Sequence, residues 1–266
     1  MQAQLAQAHS PLLAVRDVSV VFGGITALNG VTFDMHKGQI LGLIGPNGAG
    51  KTTLFNAATG IVRPSAGFVR LGERRLDHLP TAARAQAGLG RSFQRMELFD
   101  TKTVFENVAL GQEMLYAGQR VWKHLWCPPL ERTEIHERAE DAIVRCGLEL
   151  ITGHHLADLS TGQRRLVELA RAMASPFQFL LLDEPSSGLD VRETEHFAGV
   201  LSGLVEREGI GILLVEHDMA LVRAVCRYIY VLDFGKLIFS GSTVDVLSSE
   251  TVRAAYLGSD ADHEVA

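Results

Sequence analysis

Gln39-Ile40-Leu41-Gly42-Leu43-Ile44 runs directly into Gly45-Pro46-Asn47-Gly48-Ala49-Gly50-Lys51-Thr52-Thr53, and this junction decides the fold. An apolar run comes first, Gly45, Gly48 and Gly50 punctuate the segment after it, and Lys51 to Thr59 carries no breaker. These residues predict a buried strand over 39–44, a tight loop, and a helix over 51–59. From Gly45 to Thr52 the loop matches G-x-x-x-x-G-K-[ST] in full. Its glycines let backbone N–H groups curl around a phosphate, Lys51 brings positive charge to the β and γ oxygens, and Thr52 offers a hydroxyl to Mg²⁺. Gly45, Pro46, Asn47, Gly48, Ala49, Gly50, Lys51, Thr52 and Thr53 are therefore candidate nucleotide ligands.

Far downstream, Leu159-Ser160-Thr161-Gly162-Gln163 opens a second helix, predicted over 160–174 from Leu166, Leu169, Ala170 and Met173 at i, i+3, i+4, i+7. S-x-x-Q is a capping box, with Ser160 on the amide three residues on and Gln163 reaching back. A helix N-terminus also presents free N–H groups and partial positive charge, so Ser160, Gly162 and Gln163 are candidate phosphate contacts as well. Two phosphate-facing elements in one chain predict a molecule that shares its nucleotide with a partner.

Phe179-Leu180-Leu181-Leu182-Asp183-Glu184 comes next as an apolar strand ending in two carboxylates. Solvated acids at a strand end are the plain alternative. Beside a phosphate loop, the arrangement places Asp183 at the metal and makes Glu184 the candidate that polarises an attacking water.

Strand texture recurs at 12–22, 31–35, 67–71, 88–93, 211–215, 228–233 and 236–240, with the turn Gly23-Gly24 after the first. Between 96 and 174 the spacing turns helical. The predicted fold is α/β: a mixed sheet flanked by helices over 11–95 and 175–250, a small antiparallel β region, an inserted helical subdomain over 96–174, and a tail over 251–266. Trp122 and Trp126 share one face of a possible short helix before Pro128-Pro129 and are a candidate contact with a membrane subunit.

A chain of 266 residues can bury a full core. The net charge of -6 gives no electrostatic reason to expect nucleic acid as a partner. Cys127, Cys146 and Cys226 show no C-x-x-C spacing, which argues against a disulfide framework or zinc site and fits a reducing cytoplasm. Met1 to Ser10 lacks the pattern of a signal peptide, and no apolar run approaches the ~20 residues of a membrane span. A mean hydropathy of +0.12 leaves room for contact with other subunits.

With Leu159 to Gln163 placed before the acidic strand, the chain resembles the ATP-binding subunits of ABC transporters over nearly its whole length. The resemblance implies a P-loop ATPase using ATP and Mg²⁺. Phe22 then stacks on adenine, and Gln94 in Ser92-Phe93-Gln94 links Mg²⁺ to the transmembrane partner and joins Thr52 and Asp183 as a metal contact. Asp190 lies in the D-loop Ser187-Gly188-Leu189-Asp190, and His217 is the switch histidine near the γ-phosphate. With Glu184 and Lys51, Gln94 and His217 complete the implied catalytic set. Further blocks, Phe22-Gly23-Gly24, Arg91-Ser92-Phe93-Gln94, Leu98-Phe99, Thr103 to Asn107, Glu216-His217-Asp218-Met219 and Ala255 to Gly258, resemble the branched-chain amino acid importer ATPases of the LivG type. Importers of urea or short amides share much of this pattern. Thr161 and Arg164, and Asp190-Val191 in place of Asn-Pro, depart from it. The partners implied are a second ATPase subunit head to tail, two transmembrane permease subunits and, indirectly, a solute-binding protein. The implied place is the cytoplasmic face of the plasma membrane.

Overall fold

The computed structural model describes residues 13–92, 97–117 and 129–261. Strand β1 (Leu13–Phe22) turns back into β2 (Ile25–Met35) through Gly23-Gly24, whose φ angles of 53° and 90° are what a two-residue hairpin turn demands. The second strand begins earlier than its β-branched part, because pairing to β1 extends through the largely exposed residues 25–30 and shifts of register absorb the misfit. Next come β3 (Ile40–Ile44), α1 (Lys51–Thr59), β4 (Ala66–Leu71), β5 (Arg74–Arg75), α2 (Thr81–Gln86) and β6 (Leu89–Arg91). Three helices come after, α3 (Val104–Ala117), α4 (Pro129–Arg145) and α5 (Thr161–Met173). The chain then returns through β7 (Phe179–Asp183), α6 (Val191–Glu208), β8 (Gly211–Val215), α7 (Met219–Val225), β9 (Tyr228–Asp233), β10 (Lys236–Ser242), α8 (Thr243–Ser248) and α9 (Glu250–Ala261). Trp122 and Trp126 lie outside the described residues. From Glu250 to Ala261 the chain is helical, with Val252 buried.

Two sheets form. One is antiparallel, ordered β2-β1-β4-β5; the other is ordered β10-β9-β3-β8-β7-β6 and is parallel except for β10. Strands β3, β7 and β8 are buried at every position, which explains their uninterrupted apolar sequence. Their alternate residues serve different cores. Leu41, Leu43, Leu181, Leu213 and Val215 pack with α1 and the antiparallel sheet. Ile40, Ile44, Leu180, Leu182, Ile212 and Leu214 pack with residues of α3 to α7.

The far end of α1 is fixed by Arg84, a buried side chain of α2. Its Nη1 donates to the Ala57 and Ala58 carbonyls at 2.8 and 2.7 Å, and its Nε to Leu79 O at 3.0 Å. Helix-terminal carbonyls that would otherwise be orphaned are thereby satisfied. Gly60 closes the helix at φ 84°, where a Cβ would lie 2.7 Å from Arg84 Nε. The C-terminal end of the helix behind the phosphate loop is thus held by the Arg84 guanidinium, with Gly60 leaving room for it.

Candidate nucleotide and signature sites

The loop between β3 and α1 is built by close approach. A Cβ at Gly45 would sit 2.0 Å from the Leu232 carbonyl oxygen, and one at Gly50 would sit 2.7 Å from that of Ala27. Gly50 starts α1 at φ 105° without a side-chain cap, whereas α5, α6, α7 and α8 are capped by Ser160, Asp190, Asp218 and Ser242. The first-turn amides of α1, at Lys51, Thr52 and Thr53, are therefore left for an anion. Lys51 is buried and donates to Gly45 O at 2.6 Å and Pro46 O at 2.9 Å, which curls it over the loop containing Asn47, Gly48 and Ala49. Burial pulls its ammonium below the usual lysine range, and the charges of Glu184 and Asp183 oppose that pull. Thr52 is exposed at the helix start.

The strand-end carboxylates meet this loop at the carboxyl edge of the parallel sheet, where open α/β folds bind ligands. Asp183 is buried beside Arg91, whose Nη2 lies 3.1 Å from its Oδ2, while Arg91 Nη1 donates to Asn56 of α1 at 2.5 Å. Burial pushes the Asp183 carboxyl up despite the guanidinium. Glu184 takes φ 50°, a left-handed conformation that costs a non-glycine residue about 1 kcal/mol or more. Its N–H donates to Val215 O at 2.8 Å, and its Oε1 lies 3.1 Å from His217 Nε2. His217 is aimed by its neighbour Glu216, a buried carboxylate that accepts the N–H groups of Ser186 (2.8 Å), His217 (3.1 Å) and Asp218 (3.3 Å). Burial also pushes the Glu216 carboxyl up, against these hydrogen bonds.

Among the described residues no cluster of three or more His, Cys, Asp or Glu could hold a metal by itself. Thr52 and Asp183 instead suit a hard cation that takes most of its ligands from phosphate and water, as Mg²⁺ does. Phe22 ends β1 half exposed, an open ring at the hairpin turn. Gln94 lies outside the described residues.

Ser160, Gly162, Gln163 and Asp190 form a second cluster. Ser160 Oγ accepts the Gln163 N–H at 3.2 Å and Gln163 Oε1 accepts the Ser160 N–H at 3.0 Å, the capping box read from the sequence. Asp190 caps α6 in a second box with Glu193. Glu193 also bridges the two helices, since its Oε1 accepts the Ser160 hydroxyl at 3.0 Å and the Gly162 N–H at 3.2 Å. Of the departures from the LivG pattern, Arg164 reaches Asp100 at 3.0 Å, and the Thr161 methyl would lie 3.4 Å from a Cβ at Gly188.

Sequence reasoning missed Arg91, Glu193 and Glu216. Their signals are visible in retrospect: charges at the ends of β6 and β8, and the fourth residue of a D-x-x-E box.

The model of the ABC transporter family matches residues 28–187. The chain is 37% identical over 250 residues to the high-affinity branched-chain amino acid transport ATP-binding protein LivG of Salmonella typhimurium, covering 93% of this chain and 98% of that one. It is 32% identical to the lipopolysaccharide export system ATP-binding protein LptB of Escherichia coli K12, again over 93% and 98%. Among solved structures, the ADP conformation of MJ1267, an ATP-binding cassette of an ABC transporter, superposes with a TM-score of 0.81 at 27% identity, covering 93% of this chain and 98% of that one. The dimeric bacterial ABC transporter cassette MJ0796 gives 0.71 at 26% identity, over 87% and 98%. A phosphate loop at the carboxyl edge of a mixed sheet and a signature helix, matched at this identity over most of the length, show that the chain belongs to the ABC transporter family and is one of its ATPases.

Proposed function

We propose that the chain is the ATP-hydrolysing subunit of an importer for branched-chain or other hydrophobic amino acids, peripheral on the cytoplasmic face of the plasma membrane. The observation that carries hydrolysis is Glu184, strained at φ 50° with its Oε1 3.1 Å from His217 Nε2, beside Lys51 and Asp183. In this reading Lys51 and the amides of residues 45–53 hold the β and γ phosphates, and Phe22 stacks on adenine. Thr52, Asp183 and Gln94 hold Mg²⁺, which supplies neutralising charge to the phosphates. Glu184 takes the proton of the attacking water, and His217 orients Glu184 and faces the γ-phosphate. Catalysis is then mainly positioning and charge stabilisation.

Ser160, Gly162, Gln163 and Asp190 reach the nucleotide of a second cassette, identical or paralogous, in a head-to-tail dimer whose closure drives transport. The dimeric relative supports this pairing. Residues 11–95 and 175–250 form one ATP-binding core, 96–174 the helical subdomain, and 251–266 a tail. A groove of about 580 Å³ lined by Gln86, Phe99, Glu168, Arg171 and Phe177 also takes in Ser92 and Glu97, which flank the segment of Gln94. Two transmembrane permease subunits, fed by a solute-binding protein, dock there. No described helix of the chain is long and apolar enough to cross a membrane itself.

Likeness to LivG supports the amino acid as solute, with urea or a short amide as the alternative and a non-transport role on nucleic acid or ribosomes as a weaker one; likeness to LptB leaves export to be tested. Glu184→Gln should retain ATP binding and lose hydrolysis, and normal turnover would overturn Glu184 as the base. Proteins copurifying from gently solubilised membranes, followed by uptake of labelled leucine and urea, test the solute.

A further inference from the structure

The N-terminus of α5 already holds an anion of its own chain. Glu193 Oε1 accepts the Ser160 hydroxyl at 3.0 Å and the Gly162 N–H at 3.2 Å, while its Oε2 accepts the Asp190 N–H at 3.2 Å. Gly162 is what admits it, since a Cβ there would lie 2.6 Å from the Glu193 carboxyl carbon. We propose that Glu193 is an intramolecular competitor for the signature site, seated on the two donors that would otherwise hold the partner's γ-phosphate, so that closure of two cassettes requires its displacement. This rests on the shared-nucleotide reading above.

Counting hydrogens makes the competition exclusive. Ser160 has one hydroxyl hydrogen and Gly162 one amide hydrogen, and both are directed at Glu193 Oε1. A phosphate oxygen cannot use either while the carboxylate stays, and two anions on one helix terminus repel. Glu193 has somewhere to go. It is half-buried on the wall of a cavity of about 490 Å³, and Arg192 and His196 line the same cavity. Leaving does not undo α6, because Asp190 Oδ1 caps the Glu193 N–H at 2.8 Å independently of where the carboxylate points. The exchange would also release the Asp190 N–H, so that the D-loop and the signature helix respond to one event.

The test is sedimentation of the full chain carrying Glu184→Gln, alone and with a co-expressed second cassette, as a function of MgATP. Glu193→Gln keeps the side-chain length and the capping amide, so it addresses charge without unfolding the helix; Glu193→Ala removes the competitor altogether. In both, the ATP concentration for half-maximal association should fall about tenfold, the scale of one charge-assisted hydrogen bond exchanged against solvent. ATP binding by the unassociated chain should stay the same. Association at an unchanged or higher ATP concentration in both variants overturns the competitor and leaves the shared nucleotide standing. No ATP-dependent association by any chain, with or without the second cassette, overturns the shared-nucleotide reading and the competitor with it.

Discussion

Arg91 Nη2 lies 3.1 Å from Asp183 Oδ2, a buried ion pair whose members stand 92 residues apart in sequence. Arg91 is thus the counter-charge of the carboxylate assigned to the metal, and its other arm holds α1 through Asn56. Removing it strands an ionised group whose carboxyl burial already pushes up. Arg91→Ala should cost about 3–5 kcal/mol in denaturant unfolding without nucleotide, the scale for breaking one side of a buried pair. Arg91→Lys, which keeps charge and loses the fork, should recover only part of it.

Glu216 gathers three N–H groups of two loops, those of Ser186, His217 and Asp218. Glu216→Ala should cost about 2–4 kcal/mol, since buried donors lose their acceptor. Because His217 is set by this carboxylate, kcat should fall at least ~10-fold while ATP binding holds, as expected when orientation and not affinity is lost. Glu216→Gln keeps an acceptor and should recover most of the stability. Unfolding curves and steady-state turnover on the three proteins decide it.

Stability against pH should carry the mark of Glu168. It is buried beside Arg165 at 3.1 Å, and burial outweighs that partner and pushes its carboxyl above the ordinary 4.5. The folded chain therefore holds this proton at pH values where the unfolded chain has released it, and the contribution is present below the unfolded pKa and lost as pH rises through the folded one. From neutral pH down toward pH 5, wild type should gain stability relative to Glu168→Gln. Urea midpoints at pH 7 and pH 5 on both proteins give the difference; an equal slope would remove the assignment.

Cys146 and Cys226 should behave as apolar side chains. Burial pushes both thiols up to about 12, so only about one in ten thousand is thiolate at pH 8. Iodoacetamide at pH 8 should leave both unmodified in the native chain and label both after denaturation, as read by peptide mass spectrometry.

What was legible in the sequence was whatever is local. The helix Lys51–Thr59, the strands Phe179–Asp183 and Gly211–Val215, and the box of Ser160 and Gln163 all arise from spacing within a few residues. The start of β2 was not legible, because Ile25 to Gly30 is held by its neighbour and not by its own pattern. The side chains that join the functional elements were hidden for the same reason. Arg91 with Asp183, Glu193 with Gly162, and Arg84 with Ala57 pair across 26 or more residues, and no single-sequence period reports such contacts.

Helix α5 has one more consequence. Its thirteen residues span about 20 Å, with Ser160 and Gly162 at one end and Glu168, Arg171 and Ala172 lining the groove further along. A rod of that stiffness cannot shorten to absorb a push. Whatever seats in the groove therefore grips one arm of a lever whose other arm carries the signature serine, and a small wedge there would be felt as a tilt at the opposite tip.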